Sequence, residues 1–499
     1  MERESDKLRA AGRACQRVRL RGGRVVDGGV WYGHIRASGH TMPSPAEEAA
    51  VSATEQSRPK LVRAVTRWDL VGMAINDVIG SGVYLLPAAA AALLGVASVW
   101  AVVIAGIAVA LLVLCFAEAS SYFDEPGGAY LYTREAFGPF VGFEVGWMTW
   151  LARIASIAAL ANGFAQATSF LWPGADQGLR RALLIIVPIL ILAWINIVGV
   201  KAGARTAVAF VIAKTVPLLL FIGAGLFYVD WSVFGGIEAP PISSLGQAAL
   251  LLMFAYAGFE NTPAAAGEYR NPRRDVPFAL IMMILFVTTT YTLVQVVALG
   301  TLPGLADSAS PLAEAGAVFL GVWFALLMSF GAMVSIEGNI ASTVLIGPRY
   351  LFALADDGFG PRFLARIHAR HHTPANAIML HTFLALTLAL SGSFVGLALL
   401  SVIARLTTYI GTALAVPFLR QRFGHRPGAV RLPGGATIPI IALALSVGLL
   451  ASASAANLRT GLIALIVGVV VYRFRRPPRA EQAVEPVQPA EQRDPDRRQ

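Results

Sequence analysis

Four ionisable side chains stand inside long apolar runs of this sequence: Asp77, Arg153, Lys214 and Glu260. A charge at bilayer depth is costly, so such residues face the protein interior, pair with one another and mark ligand or ion pathways. Asp77 belongs to INDVIGSGVYLLP, Ile75 to Pro87, where Gly80, Ser81 and Gly82 interrupt an apolar segment that begins at Leu70. Lipid cannot hydrogen-bond a bare backbone, so a break at membrane depth survives only inside protein or beside a cavity. From Leu70 to Gly80 the helix rises ~15 Å, about half of a ~30 Å hydrocarbon core. The break therefore sits near the midplane. A half-helix starting at Ser81 presents the free N–H groups of Gly80, Ser81, Gly82 and Val83, which suit a carboxylate. The small residues let that carboxylate approach, and the Ser81 hydroxyl offers a further hydrogen bond. Half-helices ending near Asn76 and Ala257 present free carbonyls, which suit an ammonium group. Together these groups match an amino acid zwitterion.

The elements that must position this chemistry are apolar helices. We read twelve spans, at roughly 70–96, 99–122, 140–170, 182–200, 206–229, 246–268, 277–300, 314–346, 375–392, 395–419, 436–454 and 458–473. The sixth, LLLMFAYAGFENTPAAAGEY, repeats the theme of the first: it is interrupted at Ala257, Gly258 and Phe259, with Phe254 and Ala255 just before the break. Five spans separate the two breaks, so the second copy is inverted, and paired broken segments in inverted halves point to a secondary transporter's binding site. Fifteen basic loop residues on one side, Arg134, Arg273 and Arg420 among them, face three on the other, Arg180, Arg181 and Arg459. That bias orients both termini to the cytoplasm of a cell whose plasma (inner) membrane the chain spans.

Composition excludes much else. Of 499 residues 56% are hydrophobic and 14% charged, against ~25% charged in soluble domains. The expected class is an all-α membrane protein; runs of ~20 apolar residues do not fit a β-barrel. The net charge of +10 lies in short loops and both ends, a topology signal rather than a nucleic-acid face. Cys15 and Cys115 are the only cysteines, so no disulfide or metal framework is expected. Residues 1–66 are Arg-, Gly- and Ser-rich and residues 477–499 Pro-, Glu- and Gln-rich, and both read as disordered cytoplasmic tails, with Met42 an alternative start. His368, His371 and His372 form a cluster in a basic loop, read as solvated rather than metal-binding.

INDVIGSGVYLLP resembles the first-helix motif of the amino acid–polyamine–organocation permeases. FAEASSYFDEPGGAYLYTREAFGPFVGFEVGWMTWL resembles their second helix, first cytoplasmic loop and third helix, MFAYAGFENTPAAAGEYRNPRRDVP their sixth helix, and GPRYLFALADDGFGPRFLARIH the end of their eighth. The four motifs keep the family's order over residues 65–475. The resemblance implies a leucine-transporter-type 5+5 inverted repeat in residues 67–420, with broken helices 1 and 6 and with spans 11 and 12 (421–476) outside it. It implies amino acid substrates, protons or a counter-amino acid as coupling partners, and no cofactor.

Family resemblance also suggests roles. Lys214 matches a lysine that replaces the sodium ion of related transporters and ties span 5 to spans 1 and 8. Glu260 resembles an acid linking occupancy to gating; its alternative is a helix cap. Phe254 matches an aromatic gate, Ile157 a residue facing the substrate, and Glu118 with Arg134 a cytoplasmic-gate network. Asp77 departs from the family pattern; it binds a substrate amine, carries a coupling proton, or pairs with a nearby Arg or with Asn76. Arg153 is read as an ion-pair partner of Asp77, Glu260 or Glu337, with a substrate role second, and Glu337 and Asn339 are weaker candidates. Asp77 and Glu260 argue for cationic substrates, Ile157 for neutral ones. No HExxH, GxSxG or GxxxxGK[ST] appears, which argues against an enzyme or a primary pump. A channel fits two antiparallel broken helices poorly; a cationic amino acid/polyamine antiporter and a non-transporting amino acid sensor of the same fold are the remaining alternatives.

Overall fold

The computed structural model describes residues 65–474, apart from 125–126, 199–203, 236–238, 425 and 427. The two tails expected at the ends, and Met42, lie outside the described residues, save Val65 and Thr66. The described residues all fall in one compact unit, and their regular structure is helical, apart from one isolated bridge between Val65 and Tyr269.

The chain enters through α1, Arg67–Val78. Thr66 and Asp69 form a reciprocal capping box at its start, satisfying two of the helix's orphan donors. Ile79 is extended, Gly80 carries no side-chain cap, and α2 begins anew at Ser81, running to Leu94. Then follow α3 (Ser98–Ser121), the short α4 (Gly128–Phe137), α5 (Pro139–Thr168), α6 (Gly178–Val198) and α7 (Ala204–Gly225). The second broken element comprises α8 (Ile242–Leu252), tight turns over 253–258, and a 3-10 helix Phe259–Glu268. A 3-10 run of this length is uncommon and marks a strained segment or a hinge. The remaining helices are α9 (Pro272–Thr301), α10 (Pro311–Asp356), α11 (Ala375–Ser391), α12 (Phe394–Phe423), α13 (Thr437–Ala451) and α14 (Ala455–Arg473).

Among the described residues six helical stretches are long and apolar enough to cross a membrane: Ser81–Ser121, Gly178–Val198, Pro272–Thr301, Pro311–Asp356, Phe394–Phe423 and Ala455–Arg473. Four shorter apolar helices accompany them. The thirty-residue α5 is not among the six, because its interior position lets it carry Glu144, Arg153, Ser156 and Asn162, all buried. It packs against α10, α11 and α12, while α9 packs against α1 and α3. Leu183, Val187, Leu190 and Trp194 form an exposed stripe on one face of α6, where lipid replaces water as the apolar surroundings. Helix α10 outruns its expected end by about three turns, reaching Asp356, and bends at Gly321, whose φ is +75°.

Candidate functional site

The two breaks meet. A Cβ on Gly82 would lie 2.5 Å from the Ala255 Cα, and one on Gly258 would lie 2.3 Å from the Asp77 carbonyl oxygen. Neither distance is tolerable, so α2 presses its start against the second break and α1 its end. Gly258 also has φ +130°, a conformation that side chains rarely adopt. At the junction lies a cavity walled by Asp77, Val78, Gly80, Ser81 and Gly82 of the first break and by Phe254, Ala257, Gly258 and Asn261 of the second. Arg153, Ser156 and Leu160 of α5, Asn339, Ser342 and Thr343 of α10, and Arg405 of α12 complete it.

Each end of the first break has a different fate. Lys214, fully buried on α7, donates from Nζ to the carbonyls of Asn76 and Ile79, both at 2.8 Å. Tyr84 of α2 in turn donates to the Lys214 carbonyl at 3.0 Å. The Asn339 amide reaches the Ile79 carbonyl at 3.4 Å, and Tyr291 donates to the Val78 carbonyl at 3.3 Å. The carbonyls expected to receive a substrate ammonium near Asn76 are therefore taken by the protein's own ammonium, which corrects that assignment. Tyr291 also holds the Ala255 carbonyl at 3.0 Å, and Ala255 and Asn76 are not cavity walls. The other end stays open: Gly80 offers no side-chain cap to α2, and the Ser81 hydroxyl is buried with no hydrogen-bond partner.

The second break carries the charges. Arg405 and Arg153 both pair with Glu260, Arg405 directly and Arg153 at 3.4 Å. Glu260 also accepts from the Gly258 N–H at 3.0 Å and the Tyr409 hydroxyl at 3.1 Å. Arg405 donates further to Ser156 at 2.6 Å and Ser401 at 3.2 Å. Arg153 donates to Asn261 and lies 5.8 Å from the Tyr350 ring centre, while its Nε has no partner. Asp77 interacts with Asn261 and Ser342 and lies in the field of Lys214 and Arg153. Glu260 is thus engaged by two guanidinium groups, a backbone N–H and a hydroxyl, and does not line the cavity.

Other expected residues fall elsewhere. Ile157 is fully buried and is not a cavity wall; its neighbours Ser156 and Leu160 are. Phe254 lines the cavity and meets Phe394 edge-on, ring centres 5.9 Å apart. Glu118 pairs not with Arg134 but with Arg420, at 2.6 Å, and also accepts from the Leu432 N–H at 2.9 Å and from Tyr122 at 3.2 Å. Arg134 lies 3.9 Å from Glu135 instead. Glu337 keeps a buried oxygen without a partner and is not a wall. In the His cluster, the His368 and His371 rings lie tilted with centres 4.9 Å apart, and the His368 Nδ1 accepts from the Arg370 and His371 N–H groups at 3.3 Å. Sequence reasoning missed Arg405, although a lone arginine in the apolar run SVIARLTTYI is the same signal that singled out Arg153. Asn261, Ser342 and Thr343 carry no such signal.

Comparison with known proteins matches residues 65–487 to a family described as amino acid permease. A branched-chain amino acid permease of Bacillus subtilis is 27% identical over 448 residues, covering 84% of this chain and 94% of that protein. A methylthioribose transporter of the same organism is 28% identical over 442 residues, with the same coverage of each chain. A serine/threonine exchanger, also from Bacillus subtilis, is 29% identical over 410 residues, covering 80% and 92%.

Proposed function

We infer the activity from the premise that this multi-pass membrane chain belongs to the amino acid permease family: it is a secondary active transporter of amino acids, working by alternating access, and not an enzyme. The observation that carries this reading is the cavity where two broken helices meet, with an uncapped helix N-terminus and an unpartnered buried hydroxyl, Ser81, on its wall. A substrate α-carboxylate completes both, through the N–H groups of Gly80, Ser81 and Gly82. Asp77, the one carboxylate on the wall, is the acceptor left for the α-amino group.

In this reading twelve spans form a 5+5 inverted repeat over 67–420, with two further spans over 421–476 and both termini in the cytoplasm. Transport is sodium-independent, because the Lys214 ammonium already binds the carbonyls of Asn76 and Ile79 that a cation would need. Coupling is to protons or to a counter-amino acid. Glu118, bound to Arg420 and the Leu432 backbone, ties the inner end of α3 to the segment after α12 and serves as an inner latch.

The test is counterflow in proteoliposomes with a panel of labelled amino acids, at two pH values, with sodium or choline outside. We expect uptake that internal unlabelled amino acid accelerates and that sodium does not stimulate. Absence of any flux would favour a sensor that has kept the fold, and sodium stimulation would overturn the role of Lys214.

A further inference from the structure

We propose that the cavity selects amino acids with an acidic side chain, and that Arg153 is the residue that reads it. This deepens, and rests on, the reading that the cavity takes an amino acid.

Two cations wall the cavity, Arg153 and Arg405, against one carboxylate, Asp77; off the wall, Glu260 pairs with both arginines and Lys214 acts on Asp77, which leaves three cations against two carboxylates. A zwitterion leaves that excess positive charge in place, a cationic amino acid adds to it, and a substrate of net charge −1 cancels it. Within the cavity the demands are unequal. The Arg405 guanidinium is served on all three nitrogens, by Glu260, Ser156 and Ser401. Arg153 shares the same Glu260 at longer range and keeps its Nε unpartnered at 2% exposure. A buried donor without an acceptor costs free energy, and a charged one costs more.

Arg153, Ser156 and Leu160 are spaced along one face of α5, and all three wall the cavity. The α-carboxylate is committed to the start of α2 and the α-amino group to Asp77, so the side chain is the part of the substrate left to meet this face. A second carboxylate there supplies the acceptor that the Arg153 fork lacks. An aliphatic side chain leaves it orphaned, and a lysine or arginine side chain sets a further cation against it.

The experiment uses the full chain in proteoliposomes and measures competition against labelled exchange by L-glutamate, L-aspartate, L-glutamine, L-leucine, L-lysine and L-arginine. We expect glutamate or aspartate to half-inhibit at concentrations at least tenfold below lysine and arginine, and below leucine. The variant Arg153→Gln should reduce the glutamate-to-glutamine preference at least tenfold, a ratio that a general loss of folded protein does not alter. A wild-type preference for cationic or aliphatic amino acids overturns the proposal whether or not the variant folds, as does an unchanged ratio in the variant. Exchange of neutral amino acids without glutamate sinks this inference alone, whereas failure of every amino acid sinks the transport reading with it.

Discussion

The two breaks look alike in sequence, glycine among small residues inside an apolar run, yet they are stabilised in opposite ways. The first is held from outside: Lys214, Ser335, Asn339 and Tyr291, on three other helices, bind its carbonyls. The second is held largely from within, by turns from Phe254 to Leu251, Ala255 to Leu252 and Ala257 to Phe254, and by Glu260 folding back on Gly258. The difference divides the labour. A break whose carbonyls are tied down by distant side chains can leave its N–H groups for a ligand. A break that satisfies itself is free to carry a charged residue and hold it against two arginines.

The largest expected effect comes from driving the two breaks apart. Gly82→Val would push against the Ala255 backbone, and overpacking of this kind costs about 1–3 kcal/mol or more. Transport should vanish and the thermal midpoint should fall; a variant that transports normally would mean that the breaks do not touch. Next is Glu260→Gln, which leaves two buried guanidinium groups facing a neutral amide. Removing one partner of a buried ion pair costs about 3–5 kcal/mol. The same change at the other break, Asp77→Asn, should spare stability but alter substrate affinity or the pH profile, and thermal unfolding beside uptake kinetics compares the two. If both variants unfold alike, the division of labour is wrong.

Lys214→Met tests the outside support of the first break. It leaves the Asn76 and Ile79 carbonyls without their ammonium, and uptake should fall at least tenfold while the protein still elutes as a folded species in size-exclusion chromatography. The smallest change is Ser81→Ala, which removes one hydrogen bond to a charged group, worth about 1.5–3 kcal/mol. KM should rise roughly 10-fold or more with the thermal midpoint unchanged, and an unaltered KM would remove Ser81 from the site.

Much of this was legible along the chain. The interruptions at Gly80–Gly82 and Ala257–Phe259, the apolar helices, the resemblance to amino acid permeases and the burial of Arg153, Lys214 and Glu260 in apolar runs could all be read from the sequence. Glu118 was singled out by family resemblance together with Arg134, but its partner here is Arg420.

Sequence alone determined where the backbone breaks and which side chains are too costly to be idle, because both are local properties of a residue and the apolar run around it. Tertiary structure alone decided who satisfies whom. Glu260 meets Arg405 from 145 positions away and Lys214 reaches Asn76 from 138. Ion pairs and hydrogen bonds act over a few ångströms, so their partners are chosen by which helices pack together, and with those partners comes the sign of the charge left for a substrate.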